Sequence, residues 1–190
     1  MIIIHIDTQD DTFDFHHIYD GFRGIYLYNP TRAAIDLALS EHYMDTVLLI
    51  GHGSRDGLFG VEEGSMAIDK DNVYLLRDRT VIGVWCYAAE FADIYNLTGF
   101  FTSMYISNMQ EALMFNLYRG EDEDITDETI RKENIRFSIA LHDLIRDNVP
   151  VSEWVGQLQD QCNKMVPFVV FNHEALYSNT DSDVVITDFQ

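Results

Sequence analysis

Four stretches of this chain are mainly apolar rather than alternating: Met1 to Ile6, Thr46 to Ile50, Thr80 to Trp85 and Gly99 to Ile106, the middle two continuously so. Short runs rich in Val, Ile and Phe read as strands buried on both faces, the signature of a parallel sheet. Between them the apolar residues recur at helical spacing. Thr31 caps a helix with Ala34, Ile35, Leu37 and Ala38 on its buried face, and Asp71-Asn72 caps a short turn from Val73 to Arg77. Ala88, Ala89 and Ala92, interspersed with Phe91 and Ile94, predict a helix from Cys86 to Tyr95 that packs close to the sheet. Ser107-Asn108 caps the next, through Ala112, Leu113 and Leu117 to Gly120.

The last third has the same texture. An acidic run, Glu121 to Asp124, leads into a helix from Thr126 or Asp127 with Ile130, Phe137, Leu141, Leu144 and Ile145 inward, ending before Pro150. Ser152 caps another, with Trp154, Val155, Leu158 and Cys162 on one face. Val166 to Phe171 reads as a β run and Val184 to Ile186 as a short edge strand. In residues 7–24, the alternation from Thr12 to Ile18, then Asp20-Gly21, then Gly24 to Tyr28 predicts a hairpin or an edge excursion. Strand and helix alternate through the middle without repeats or a linker. The expected fold is α/β, a three-layer sandwich with a largely parallel sheet, as one domain over residues 1–190.

Composition narrows the partners. With 12 basic against 32 acidic side chains the formal charge is −20, a field that repels nucleic acid and anionic membranes. The first apolar run is broken by His5 and Asp7, so neither a signal peptide nor a membrane span is expected. Two cysteines, Cys86 and Cys162, cannot build a disulfide framework, and a reducing cytoplasm is the expected compartment.

Two of the buried runs end on reactive residues. Thr46 to Ile50 is followed by Gly51-His52-Gly53-Ser54, and Thr80 to Trp85 by Cys86-Tyr87. Ligand and catalytic groups in open α/β sheets lie just beyond the carboxyl ends of strands, and a reactive Cys needs a base such as His. Cys162, on an apolar helical face beside Trp154 and Leu158, is expected to be a small core residue. The glycines at 51, 53, 57, 60 and 64 mark a loop without the order of a dinucleotide site or a phosphate-binding lysine. His16-His17 reads as a solvated hairpin edge, and residues 121–128 as a solvated helix start. No metal or cofactor is expected.

An apolar run ending in His-Gly, then an apolar run ending one residue before Cys, resembles the caspase-like cysteine peptidases: caspases, metacaspases, gingipains, separases and CHAT domains. Here it stands as Val47-Leu48-Leu49-Ile50-Gly51-His52-Gly53-Ser54 and Val81-Ile82-Gly83-Val84-Trp85-Cys86, most like the CHAT type, across about residues 30–118. Trp85 stands where the family usually has a small residue. The resemblance implies a peptide or protein substrate, Cys86 as nucleophile and His52 as general acid/base. It implies the Gly53 N–H as oxyanion donor, with that of Cys86 a second candidate, and Ile106, Ser107 and Asn108 along the substrate cleft. The surface charge suggests cleavage after basic residues. Two alternatives remain open. One is a catalytically silent caspase-like binding module. The other starts from Gly51-His52-Gly53-Ser54-Arg55-Asp56, which also resembles the opening motif of sirohydrochlorin cobaltochelatases, with His173 as the late second histidine.

Overall fold

The apolar runs lie side by side in one sheet. The structure, a computed structural model, describes residues 1–8, 12–119, 125–180, 183–187 and 189. In chain order the strands are β1 (Ile2–His5), β2 (Ile25–Tyr28), β3 (Val47–Ile50), three short strands β4 (Gly53–Ser54), β5 (Gly57–Phe59) and β6 (Met66–Ile68), then β7 (Thr80–Val84), β8 (Thr98–Thr102) and β9 (Leu176–Ser178). The main sheet has the order β2-β1-β3-β7-β8-β9. Its strands run parallel except β9, which pairs antiparallel with β8 at the edge.

Period-two alternation sorts the buried strands onto two faces. Leu48, Ile50, Ile82, Val84 and Phe100 point to one side. There they meet Phe137 and Leu141 of α4 (Asp127–Arg146) and Trp154 and Leu158 of α5 (Trp154–Gln161). Val47, Leu49, Val81 and Phe101 point to the other. Their partners are Ile35 and Leu39 of α1 (Arg32–Glu41), Phe91 and Ala92 of α2 (Ala88–Tyr95), and Leu58 and Ile68 of the small sheet. Beyond the end of β8, α3 (Met109–Arg119) and α6 (Pro167–Glu174) close a third cluster around Ile106, Phe115, Ile130 and Phe168. The architecture is a mixed α/β sandwich with a mostly parallel six-stranded sheet. Among the described residues no helix is long and apolar enough to cross a membrane.

Several expected elements take another form. Phe13–Ile18 is a 3-10 helix, and Ile25–Tyr28 then enters the sheet parallel to β1, so no hairpin forms. Phe15 and Ile18, three apart, are buried, and three residues per turn puts both on one face, as a strand would not. Val166 to Phe171 is the start of α6, with Pro167 in its first turn, where a missing N–H costs nothing. The edge strand is Leu176–Ser178; Val184 instead accepts a backbone hydrogen bond from Val151, and Ile186 fills the core. Strand β8 stops at Thr102, four residues short of Ile106. The glycine-rich stretch folds into the antiparallel β4-β5-β6 sheet. Leu37 and Leu113 are solvent-exposed, and Ile35 and Leu39 carry the buried face of α1. Asn72 does not cap the turn after it; its amide bridges Asp36 and the Ala67 carbonyl. Thr31 and Thr126 cap their helices as expected. Gly120 and the acidic run to Asp124 lie outside the described residues.

Candidate active site

Strands β3 and β7 are neighbours at the middle of the sheet, and their register pairs Ile50 with Val84. His52 and Cys86 each lie two residues beyond that pair, at the same level on strands about 4.8 Å apart. Both border residues of the α4 side of the sheet, Val84, Phe15 and Tyr105 among them. There they line one small cavity with Thr12, Phe15, Gly51, Thr102, Tyr105 and Ser107. Its volume is about 10 Å³, near the lower limit for one water molecule.

Local bonding explains how the Cys86 turn is held. Beyond Val84 the chain leaves the sheet, and Thr102 staples the break: it accepts from the Trp85 N–H at 3.1 Å and donates to the Trp85 carbonyl at 2.8 Å. Tyr87 adopts the left-handed region (φ 70), with its N–H bound to the Ser103 carbonyl, and is the N-cap of α2. Cys86 therefore precedes the helix rather than opening it. Trp85 turns to the opposite face, where only glycines leave it room. A Cβ on Gly53 would stand 2.1 Å from the Trp85 ring, and one on Gly83 2.6 Å from it. Phe59 N–H donates to the His52 carbonyl, making Gly53 and Leu58 a non-hydrogen-bonded pair, so the Gly53 N–H turns away from β5.

The thiol itself sits among acceptors. Cys86 Sγ lies 3.3 Å from the Tyr105 carbonyl and 3.6 Å from Glu111 Oε1. Burial, and after it the negative charge of Glu111, pushes the thiol up to about 12. The positive end of a helix would lower a thiol, but here desolvation and a like charge both favour the neutral form. Glu111 is itself fixed: Ser107 donates to Oε2 from its N–H (2.7 Å) and its hydroxyl (3.0 Å), while Asn108 Oδ1 accepts from the Glu111 N–H (2.9 Å). That is a capping arrangement at the start of α3 whose carboxylate also reaches the thiol. The Asn-x-x-Glu spacing was legible as a helix start. Its proximity to Cys86 follows only from the tertiary fold, as do the roles of Thr102 and Tyr105.

The remaining sequence-derived residues divide. Ile106 is fully buried, and its N–H and carbonyl are both bonded by the Asn172 amide at 2.8 and 2.9 Å, so it offers a cleft neither side chain nor backbone. Ser107 borders the small cavity and, with Asn108, also a groove of about 740 Å³ between the 3-10 turn and α4, where Asp14, Asp127 and Arg131 lie. A second groove, about 720 Å³, starts at Tyr87 and is lined by Glu90, Asp93, Glu174 and Phe171. Glu90 accepts from the Ser103 hydroxyl, and its other oxygen, Oε2, is buried with no hydrogen-bond partner among the described residues. Cys162 is the C-cap of α5, half-buried against the third cluster rather than the one that holds Trp154, and burial raises its thiol too. His173 is a buried residue of α6, bonded to the Val169 carbonyl, and follows no strand.

No family model matches this sequence, and no curated protein matches it significantly.

Proposed function

We propose that this chain is a caspase-like cysteine peptidase in a closed state. The observation that carries the reading is the meeting of His52 and Cys86 in one cavity at the carboxyl ends of paired central strands. In the proposed reaction the Cys86 thiol passes its proton to His52, and the thiolate adds to the scissile carbonyl. The oxyanion is held by the Gly53 N–H. His52 then protonates the departing amine, and water hydrolyses the thioester to free the acid and restore the thiol. A peptide cannot enter about 10 Å³, so the cavity must open, and separating Glu111 from the thiol is part of that opening.

Substrate choice follows from the grooves. Both present carboxylates, and Glu90, Asp93 and Glu174 share theirs with aromatic side chains and no cation among the lining residues. Glu90 Oε2 supplies a buried charge for an Arg or Lys guanidinium or ammonium. We therefore assign cleavage after basic residues. Matched peptides with Arg, Lys, Asp or Leu at P1 test this: Cys86→Ala and His52→Ala should abolish turnover. Glu90→Gln should reduce kcat/KM for Arg and Lys by roughly tenfold or more, the worth of a hydrogen bond to a charged group, while sparing Leu. Preferred cleavage after Asp would overturn the assignment.

The raised thiol and the sealed cavity favour a second reading, a catalytically silent module. A peptide carrying Lys at P1 and an alkylating group separates the two. Faster labelling of Cys86 than of Cys162 supports the peptidase. Labelling of Cys162 alone, with no turnover by the native chain, assigns the silent module.

A further inference from the structure

At the end of the 3-10 helix, three side chains bring a nitrogen, a nitrogen and an oxygen together. His16 Nε2 lies 3.7 Å from Asp20 Oδ2, and His17 Nδ1 lies 3.2 Å from the same oxygen. The three ligand atoms fall within 4.8 Å of one another. We propose that His16, His17 and Asp20 form a binding site for a divalent transition metal of the zinc, copper or nickel class, independent of the Cys86 chemistry.

Three features carry this. The first is the separation of the donors. Around a tetrahedral zinc with bonds of about 2.0–2.1 Å, neighbouring ligand atoms stand about 3.4 Å apart. Two of the three spacings, 3.7 and 3.2 Å, bracket that value, and the third lies within 4.8 Å.

The second is the tautomer of His16. Its Nδ1 lies 2.7 Å from the Phe13 carbonyl, which can only accept, so Nδ1 carries the hydrogen. In that tautomer the Nε2 of a neutral ring is left with its lone pair, 3.7 Å from the Asp20 carboxylate oxygen. A cation between them is attracted to both. A backbone carbonyl holding the far nitrogen is also how metal-binding histidines are oriented.

The third is the backbone. The Tyr19 N–H bonds to the His16 carbonyl at 3.0 Å and the Phe22 N–H to the Tyr19 carbonyl at 3.1 Å. These turns bring Asp20 back over the two imidazoles. Gly21 follows at φ 80, where the chain turns away and a glycine is favoured. The nearest further carboxylate on this helix, Asp14, is engaged by Arg131 and is not a fourth ligand. The other coordination positions belong to water. Two imidazoles and one carboxylate select borderline transition metals over calcium and magnesium, which prefer sets of oxygens.

The site has a structural reach. The segment that carries it also supplies Phe15 to the wall of the Cys86 cavity and Phe13 to the groove beside Ser107. An ion at its end fixes that wall.

Calorimetric titration of untagged, chelator-treated protein with zinc, nickel, copper and calcium chlorides tests the proposal. One equivalent of zinc should bind saturably and calcium should not. At a hundredfold excess of zinc over its Kd, the melting temperature should rise by roughly 5–10 °C. His16→Gln, His17→Gln and Asp20→Asn should each weaken binding at least tenfold, with the metal-free melting temperature within about 2 °C of the parent, as expected for surface substitutions. Undiminished binding by all three variants would place the ion elsewhere and overturn the assignment, as would no saturable binding by the parent protein.

Discussion

Replacing Glu111 by Gln removes the charge beside the Cys86 sulfur and keeps an oxygen that can accept from Ser107. At the observed 3.6 Å, two unit charges at an effective dielectric near 20 repel by about 4–5 kcal/mol, equivalent to roughly three pKa units. That is a ceiling. The whole rise, from the ordinary 9.0 to about 12, is shared between causes, with burial the largest. Glu111 raises the thiol through both its charge and its hydrogen bond, and its removal is expected to lower the thiol by on the order of one pH unit. The assay is alkylation by iodoacetamide between pH 6 and 10 in a Cys162→Ala background, so that Cys86 is the reacting thiol. Below the thiol pKa the rate follows the thiolate fraction, which should rise about tenfold at every pH. The less basic thiolate is a weaker nucleophile, with a Brønsted slope of about 0.4–0.5, so the net acceleration is roughly three- to fourfold. The capping interactions of α3 weaken by no more than about 1 kcal/mol, which far-ultraviolet circular dichroism and a melting curve would register. An unchanged or slower reaction, with the fold intact, would refute the electrostatic role of Glu111.

Two further predictions concern stability. His5 is buried, bonded to Thr12 and Tyr19, and burial lowers it to about 4, against an opposing pull from Asp7. The unfolded chain binds the proton more tightly, so this contribution is full above pH 6.5 and is lost as pH falls toward 4. Urea unfolding should show about 2 kcal/mol lost between pH 7 and pH 5, with a flatter dependence in His5→Gln; equal slopes would contradict the assignment. Arg79, also buried, donates to the carbonyls of Leu39 and His42 at the end of α1, at 3.0 and 3.1 Å. Arg79→Met should lower the melting temperature by roughly 3–10 °C, the cost of orphaning buried carbonyls, and a shift under 1 °C would argue against the role.

The sheet was legible because its strands are buried on both faces. A run such as Val47 to Ile50 has no polar side to confuse it with a surface helix. The same rule failed for Val166 to Phe171, where an apolar run of strand length belongs to a helix buried in the third cluster. Periodicity carries no information when every side is covered, and Pro167 was the local signal that decided it. For the site, strand ends predicted the level of His52 and Cys86. The Glu111 contact could not be read, because it joins the cap of α3 to a residue 25 positions earlier. The His16 cluster was hidden for another reason: three residues per turn, rather than a hairpin, gathers positions 16, 17 and 20.

Trp85 has a consequence for how this sequence can change. Its indole occupies space that Gly53 and Gly83 leave open, so the indole depends on both glycines, and the Gly57 carbonyl bars a side chain at position 53 as well. A side chain at position 53 or 83 is blocked while the indole stands. Removing the indole first opens a core cavity, at a cost of about 3–5 kcal/mol for a buried Trp cut to Ala. A change from Trp85 to a small residue must therefore cross a valley in stability, and a chain only a few kcal/mol above its folding threshold rarely survives the crossing. The indole acts as a ratchet: once acquired, it holds Gly83 within the cysteine strand and Gly53 beyond β3 in place through later substitution.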